Sequence, residues 1–268
     1  MKNFDKLVQK MALNPQPFLE CRAKLKQIKE LKNYDFEFIN ESIENLRVLG
    51  LPLVELNSSL VALETTFSPI EKQKFCIVDI ETNGSKPDYA QIIEIGAAMV
   101  QNGKIIDRFE SFVKADEIPE NIVYLTNITL DDLKGAPSLS AILEKFRLFL
   151  SDAVFVAHNV NFDYNFISYS MEKAGFGPLL NRKICSIDLA KKTIKAERYG
   201  LGHLIQELNI KVEQHHRAYS DAYAANVVFQ KSLENIPESV ISTEDLVRFA
   251  KPNPKKRKKK KEKSTTDS

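Results

Sequence analysis

"FCIVDIETNG", residues 75–84, reads as a buried β-strand that ends in acid. Phe75, Ile77, Val78 and Ile80 are apolar residues of the strand-forming kind. Asp79 and Glu81 stand two residues apart, so they project from one face of the strand with Ile80 on the other. Two carboxylates that close repel each other and resist burial unless a counter-charge is supplied. A strand-end Asp-x-Glu is by itself more often a salt-bridge partner or a solvated edge. The pair gains meaning from what the rest of the chain brings to it.

Two later stretches bring more carboxylate. In "HNVNFDYNF" (158–166), Asp163 falls in the first turn of an expected helix at 162–174, entered directly from a strand at 153–157. Phe162, Phe166 and Ala174 are expected to form its buried stripe, leaving Asp163 beside the strand ends, where it also suits the helix dipole. "HHRAYSDAYAANVV" (215–228) places Asp221 near the start of another helix, expected over 218–232. Ala218, Ala222, Ala224 and Ala225 keep that helix slim enough to pack closely on a sheet. Alone, an Asp in a first helical turn is usually a cap. Together, the four carboxylates balance two divalent cations, and all-oxygen ligation favours Mg²⁺ or Mn²⁺ over zinc. His216 precedes Asp221 by five residues, about 500° of continuous helix. The two side chains would then point apart, so His216 fits better on the loop entering the helix, where an imidazole can act as general base. Neighbouring His215 lacks that rationale and reads as a surface residue.

The 268 residues, 43% of them hydrophobic, allow one medium domain with an appendage or two small domains. The opening "MKNFDKLVQK" is polar and amphipathic, unlike a signal peptide, and no apolar run approaches the roughly 20 residues of a membrane span. Cys21, Cys76 and Cys185 lack CxxC spacing, which favours reduced cytosolic thiols. Three regions separate by pattern. Residues 1–69 are mostly helical, 70–235 alternate strands and helices as an α/β domain does, and 236–268 form an extension. That extension ends in "KPNPKKRKKKKEKSTTDS", with nothing apolar to fold around, and is expected to be disordered. From Lys251 onward nine Lys/Arg face two carboxylates, so a basic tail follows an acidic body.

In the first region Ile39, Ile43 and Leu46 share a helix face that stops at Gly50, and "LPLVEL" and "SLVALET" follow as two short strands. A helix followed by such a wing resembles a winged-helix unit. Its would-be recognition helix carries Glu37, Glu41 and Glu44 against Arg47, the wrong charge for phosphates, so a structural or protein-docking role is favoured. Lys24, Lys26, Lys29 and Lys32 read as a solvated face. In the second region strands are expected at 75–80, 91–101 and 104–113, the last two joined through Asn102-Gly103. Helices are expected at 138–150, 187–195 and 201–208, besides those already placed.

These motifs, in this order, resemble the DnaQ-like 3′→5′ exonucleases with an Asp-Glu-Asp-Asp-His site. "VDIETNG" is similar to their first motif, "HNVNFDYNF" to the second and "HRAYSD" to the third, over roughly residues 72–232. The resemblance implies a ribonuclease-H-like mixed β-sheet with flanking helices, here with a small helical, winged-helix-like N-terminal domain added. It implies Asp79, Glu81, Asp163 and Asp221 as ligands of two divalent metal ions and His216 as general base. It also implies Thr82, Asn83 and His158 as substrate-binding residues. Glu94 in "QIIEIGAAMV" reads as structural, and Asn127 stands where the family usually has glycine, a position an Asn tolerates in left-handed backbone. The subgroup it looks most like is the proofreading epsilon subunit of bacterial DNA polymerase III. That implies DNA 3′ ends as substrate, a polymerase catalytic subunit as partner and a cytoplasmic location without membrane contact. RNA-trimming relatives offer an alternative substrate, and a non-catalytic binding platform a different class; the presence of all five chemical groups weighs against the latter. "PKKRK" in the tail also matches a nuclear localisation signal, but the acidic body and bacterial resemblance favour an electrostatic arm for nucleic acid.

Overall fold

A computed structural model describes residues 2–212 and 216–252. His215 and the basic tail from 253 onward, about which expectations were stated above, lie outside the described residues. The N-terminal unit runs α1 (Lys2–Met11), β1 (Gln16–Pro17), α2 (Phe18–Leu25), α3 (Ile39–Val48), β2 (Leu53–Asn57) and β3 (Leu60–Leu63). Its three strands form a small antiparallel sheet in the order β1-β3-β2. Leu46 is fully buried, with Ile39 and Ile43 packed beside it, as the face periodicity requires. The two-residue β1 carries no alternation and was not legible in advance.

The larger unit holds β4 (Phe75–Thr82), β5 (Ile92–Gln101), β6 (Lys104–Phe112), α4 (Glu120–Thr126), α5 (Leu139–Leu150), β7 (Val154–Ala157), α6 (Val160–Lys173), β8 (Lys183–Cys185), α7 (Ser186–Thr193), α8 (Leu201–Glu207), α9 (Ala218–Leu233) and α10 (Thr243–Phe249). Its sheet has the order β6-β5-β4-β7-β8. The β4–β5 and β5–β6 pairs are antiparallel, while β4–β7 and β7–β8 are parallel. This is the mixed five-stranded sheet expected, with β4 at its centre.

Alternation along β4 divides the core. Cys76, Val78 and Ile80 pack with Phe146, Phe155 and Ile167 on the side of α5 and α6. Phe75 and Ile77 pack with Phe229, Leu189 and Leu246 on the side of α7, α9 and α10. Residues 236–252 therefore continue the fold up to α10 and do not simply trail from it. A Ser242–Asp245 capping box starts α10, and buried Glu244 receives hydrogen bonds from Thr65 and from Arg182.

The two units share contacts. Arg147, 8% exposed, donates to Leu49 O of the first unit and to the carbonyls of Phe176, Gly177 and Pro178 of the second. Arg47 reaches back to Asp152 at 2.9 Å, and Leu180 sits in the N-terminal core. Among the described residues no helix is long and apolar enough to cross a membrane.

Candidate active site

The C-terminal end of β4 is where the sheet brings acid together. Asp79 and Glu81 lie half-buried on the α9 side, opposite Gly96 and Glu94 of β5. Gly96 is the reason α9 can come so near. A Cβ at that position would lie 2.1 Å from Tyr219 N and 2.2 Å from the carbonyl carbon of Ala218, both backbone atoms. The first turn of α9 thus rests directly on β5, and the buried alanines 218, 222, 224 and 225 maintain that closeness along the helix. Asp221, 8% exposed, is carried in by this turn.

Asp163 arrives from the other face of the sheet. Helix α6 begins at Val160, two residues earlier than the pattern suggested, and its buried stripe is Val160, Asp163, Tyr164, Ile167 and Met171. The expected stripe is corrected accordingly. Phe166 is buried, but Phe162 is 36% exposed and Ala174 is exposed. Asp163 is itself a member of the buried face, 3% exposed, within hydrogen-bonding reach of the Ile80 backbone.

Glu94 lines the same face but is already neutralised. Arg217 donates to it from Nη2 at 2.8 Å and from Nε at 3.1 Å, and Ala218 N donates at 3.0 Å. This confirms the structural reading of Glu94. The ion pair pins the start of α9, and with it the adjacent His216. His216 lies in the loop before the helix with φ of 59°, a left-handed conformation uncommon for a non-glycine residue, and its N–H donates to Asp221 Oδ2 at 3.1 Å. Glu81, His216 and Asp221 each offer a ligand atom within 4.8 Å of the others.

Crowding and burial leave the cluster short of positive charge. Desolvation, then the charges of Asp163, Asp221, Glu81 and Glu94, hold the Asp79 carboxyl well above the usual carboxylate range. Burial, with Asp221, Glu94 and Asp163 adding, pushes Glu81 up to about 8. Burial raises Asp163 to about 7 against backbone hydrogen bonds that oppose it. The mutually repelling carboxylates are hard oxygen donors of the kind divalent cations take, and His216 lies beside them.

The three residues expected to touch substrate have their polar groups engaged within the protein. Thr82 Oγ1 donates to Gly84 O at 2.8 Å. The Asn83 side chain accepts from Gln91 N and donates to Glu117 O, tying two loops together. His158 is bonded on both sides, Nδ1 to Ser186 Oγ at 2.8 Å and Nε2 to Tyr199 O at 2.9 Å, and burial lowers it to about 4. It is a neutral ring bracing the loop before α6. Gly96 and Arg217 are residues that the sequence reading missed. A lone glycine in an apolar strand was the available sign of a close backbone approach.

Paired acids on the central strand of a mixed sheet are joined here by acids from two helix starts and by a loop histidine. The chain belongs to the RNase_T family, described as exonuclease, whose model matches residues 76–229. It is 35% identical over 205 residues to the PolC-type DNA polymerase III of Staphylococcus haemolyticus, a match covering 72% of this chain and 14% of that protein. It is 38% identical over 181 residues to the PolC-type enzyme of Staphylococcus epidermidis, covering 66% of this chain and 12% of that one. The chain thus spans a small part of these relatives. Among solved structures, E. coli exonuclease I in complex with a dA16 oligonucleotide superposes with TM-score 0.55 at 16% identity, covering 62% of this chain and 42% of that one. Cell-death related nuclease 4 superposes with TM-score 0.52 at 16% identity, covering 61% and 64%. The expected family, mixed-sheet fold and enzyme class are borne out.

Proposed function

We propose that this chain is a divalent-metal-dependent 3′→5′ exonuclease. It releases nucleoside 5′-monophosphates from single-stranded or frayed DNA ends, in replication proofreading or repair beside a polymerase catalytic subunit. The observation that carries this reading is the convergence of Asp79, Glu81, Asp163 and Asp221 with His216 at one end of β4. Two ions, Mg²⁺ or Mn²⁺, held by the four carboxylates would neutralise the cluster and stabilise negative charge on the reacting phosphate and the departing oxygen.

His216 is assigned the proton transfer. An imidazole nitrogen takes a proton from the attacking water as its oxygen bonds to phosphorus. The P–O3′ bond breaks, and its electron pair leaves on the 3′ oxygen. The Glu94–Arg217 pair positions His216 by fixing the residue that follows it. His158, Thr82 and Asn83 support the walls of the site through the internal bonds described above. The relatives' names support DNA, and the helix-strand-helix-helix-hairpin order of residues 1–69 supports a winged-helix-like unit fused to an exonuclease domain at 70–235.

The test is turnover on matched, mispaired and RNA 3′ ends. EDTA should abolish cleavage and Mg²⁺ or Mn²⁺ restore it, with mispaired DNA cut fastest. His216→Ala should lower turnover by roughly 10²–10⁴-fold while leaving metal binding intact. Full activity in EDTA, or a His216→Ala enzyme of wild-type speed, would sink the assignment.

A further inference from the structure

The N-terminal unit carries positive charge away from the helix a winged-helix reading would single out. Asn3, Lys6, Leu7 and Lys10 share one face of α1 at helical spacing. Across from them lie Lys24 of α2 and Gln27 just beyond it, and the six residues line a surface groove of about 280 Å³. Among the described residues no carboxylate lines it. Lys24 has only a loose ion pair to Glu20, at 3.9 Å, and among the described residues Lys6 and Lys10 have none. Asp5, the acid of α1, lies on the opposite face, in the cleft shared with Tyr164, Asn165 and Ser168 of α6.

Three ammonium groups in one groove repel each other, and the two amide side chains add hydrogen-bonding capacity without opposing charge. That lining is complementary to a phosphodiester backbone, which presents repeated anionic oxygens and calls for no base-specific contact. The groove is also placed for it. Helix α1 borders a cleft whose other side includes Tyr164, Asn165 and Ser168 of α6, the helix whose first turn carries Asp163, and the groove lies on the face of α1 turned away from that cleft. We propose that the α1–α2 groove is a second nucleic-acid surface, which grips the backbone of a single strand several nucleotides upstream of the 3′ end held at β4. The proposal rests on the reading that the substrate is a nucleic acid, and adds a surface outside the catalytic site.

The experiment uses the full chain with Lys6→Gln, Lys10→Gln and Lys24→Gln combined. A control variant, Lys134→Gln with Lys191→Gln and Lys231→Gln, loses the same charge from lysines outside the groove. Binding of a 30-nucleotide and a 4-nucleotide single strand is measured at several salt concentrations with Ca²⁺ in place of Mg²⁺, beside Mg²⁺-dependent cleavage of the 4-mer. The groove variant should bind the long strand about tenfold more weakly at low salt. Its log–log salt slope should be smaller by about 2, at roughly 0.7 per lost contact. Binding and cleavage of the 4-mer should not change, and the control should match the wild type. Equal losses in the two variants would reduce the effect to net charge and overturn the proposal. So would an unchanged slope, or loss confined to anionic lipid vesicles tested in parallel. A wild-type chain that neither binds nor cuts either strand would instead refute the exonuclease reading.

Discussion

At the scale of single residues, the decisive fact is that Glu81 and Asp163 hold their protons far longer than carboxyls in water. Both are raised, to about 8 and about 7, so the metal-free fold favours their neutral forms. A group raised in the folded state contributes stability that is full below its unfolded pKa, near 4, and is lost as pH rises through the folded value. In EDTA the protein should therefore lose stability between about pH 5 and 8, by roughly 5 °C in melting temperature, and saturating Mg²⁺ should suppress the loss. Asp79→Asn removes one repelling charge and should melt higher than wild type at pH 8 in EDTA, with the gap closing near pH 5. A melting temperature that stays level in EDTA across that window, in both proteins, would show the acids are not crowded. The five chemical residues were legible because their types and order are rare in combination. The internal bonds of Thr82, Asn83 and His158 were not, since each depends on a partner remote in sequence: Glu117 for Asn83, and Ser186 and Tyr199 for His158.

At the scale of elements, the approach of α9 to β5 decides whether a site exists. Gly96→Ala would place a methyl group within 2.1 Å of the α9 backbone, and backbone cannot swing aside as a side chain can. The expected cost is about 1–3 kcal/mol of stability, with a far larger loss of turnover, because the displaced turn carries Asp221 and follows His216. Chemical denaturation and cleavage assays on the same sample measure both; a fully active, equally stable variant would mean the contact is slack. Most strands and helices of the large unit were legible from alternation, the Asn-Gly turn and helical periodicity. Three were not. Strand β8 is three residues long, too short for any period to register. Helix α4 follows Pro119 and ends on left-handed Asn127, so its seven residues read as loop. Helix α10 was hidden by its proximity to the lysine run, although its Ser242–Asp245 capping box stands in the sequence.

At the scale of the whole molecule, Arg147 joins the two units with no carboxylate partner among the described residues. Its Nη1 and Nη2 donate to carbonyls drawn from both, so separating the units would strand those groups. Calorimetry should show one cooperative transition for the chain, and Arg147→Met should lower its stability by about 3 kcal/mol. Two resolved transitions in the wild type would refute this coupling. The N-terminal helices and wing were legible as elements, but their docking was not, because one arginine bound to four carbonyls leaves no periodic trace.

The late position of α9 and α10 has a consequence for the protein's birth. A ribosome delivers β4 and then α6 well before His216, Asp221 and the Glu244 latch, which leave the exit tunnel near the end of the described fold. Until then the growing chain presents Asp79, Glu81 and Asp163 without the groups that complete the proposed site. On the proposed reading the order of its segments would keep it inert toward the RNA around it until α9 has been made.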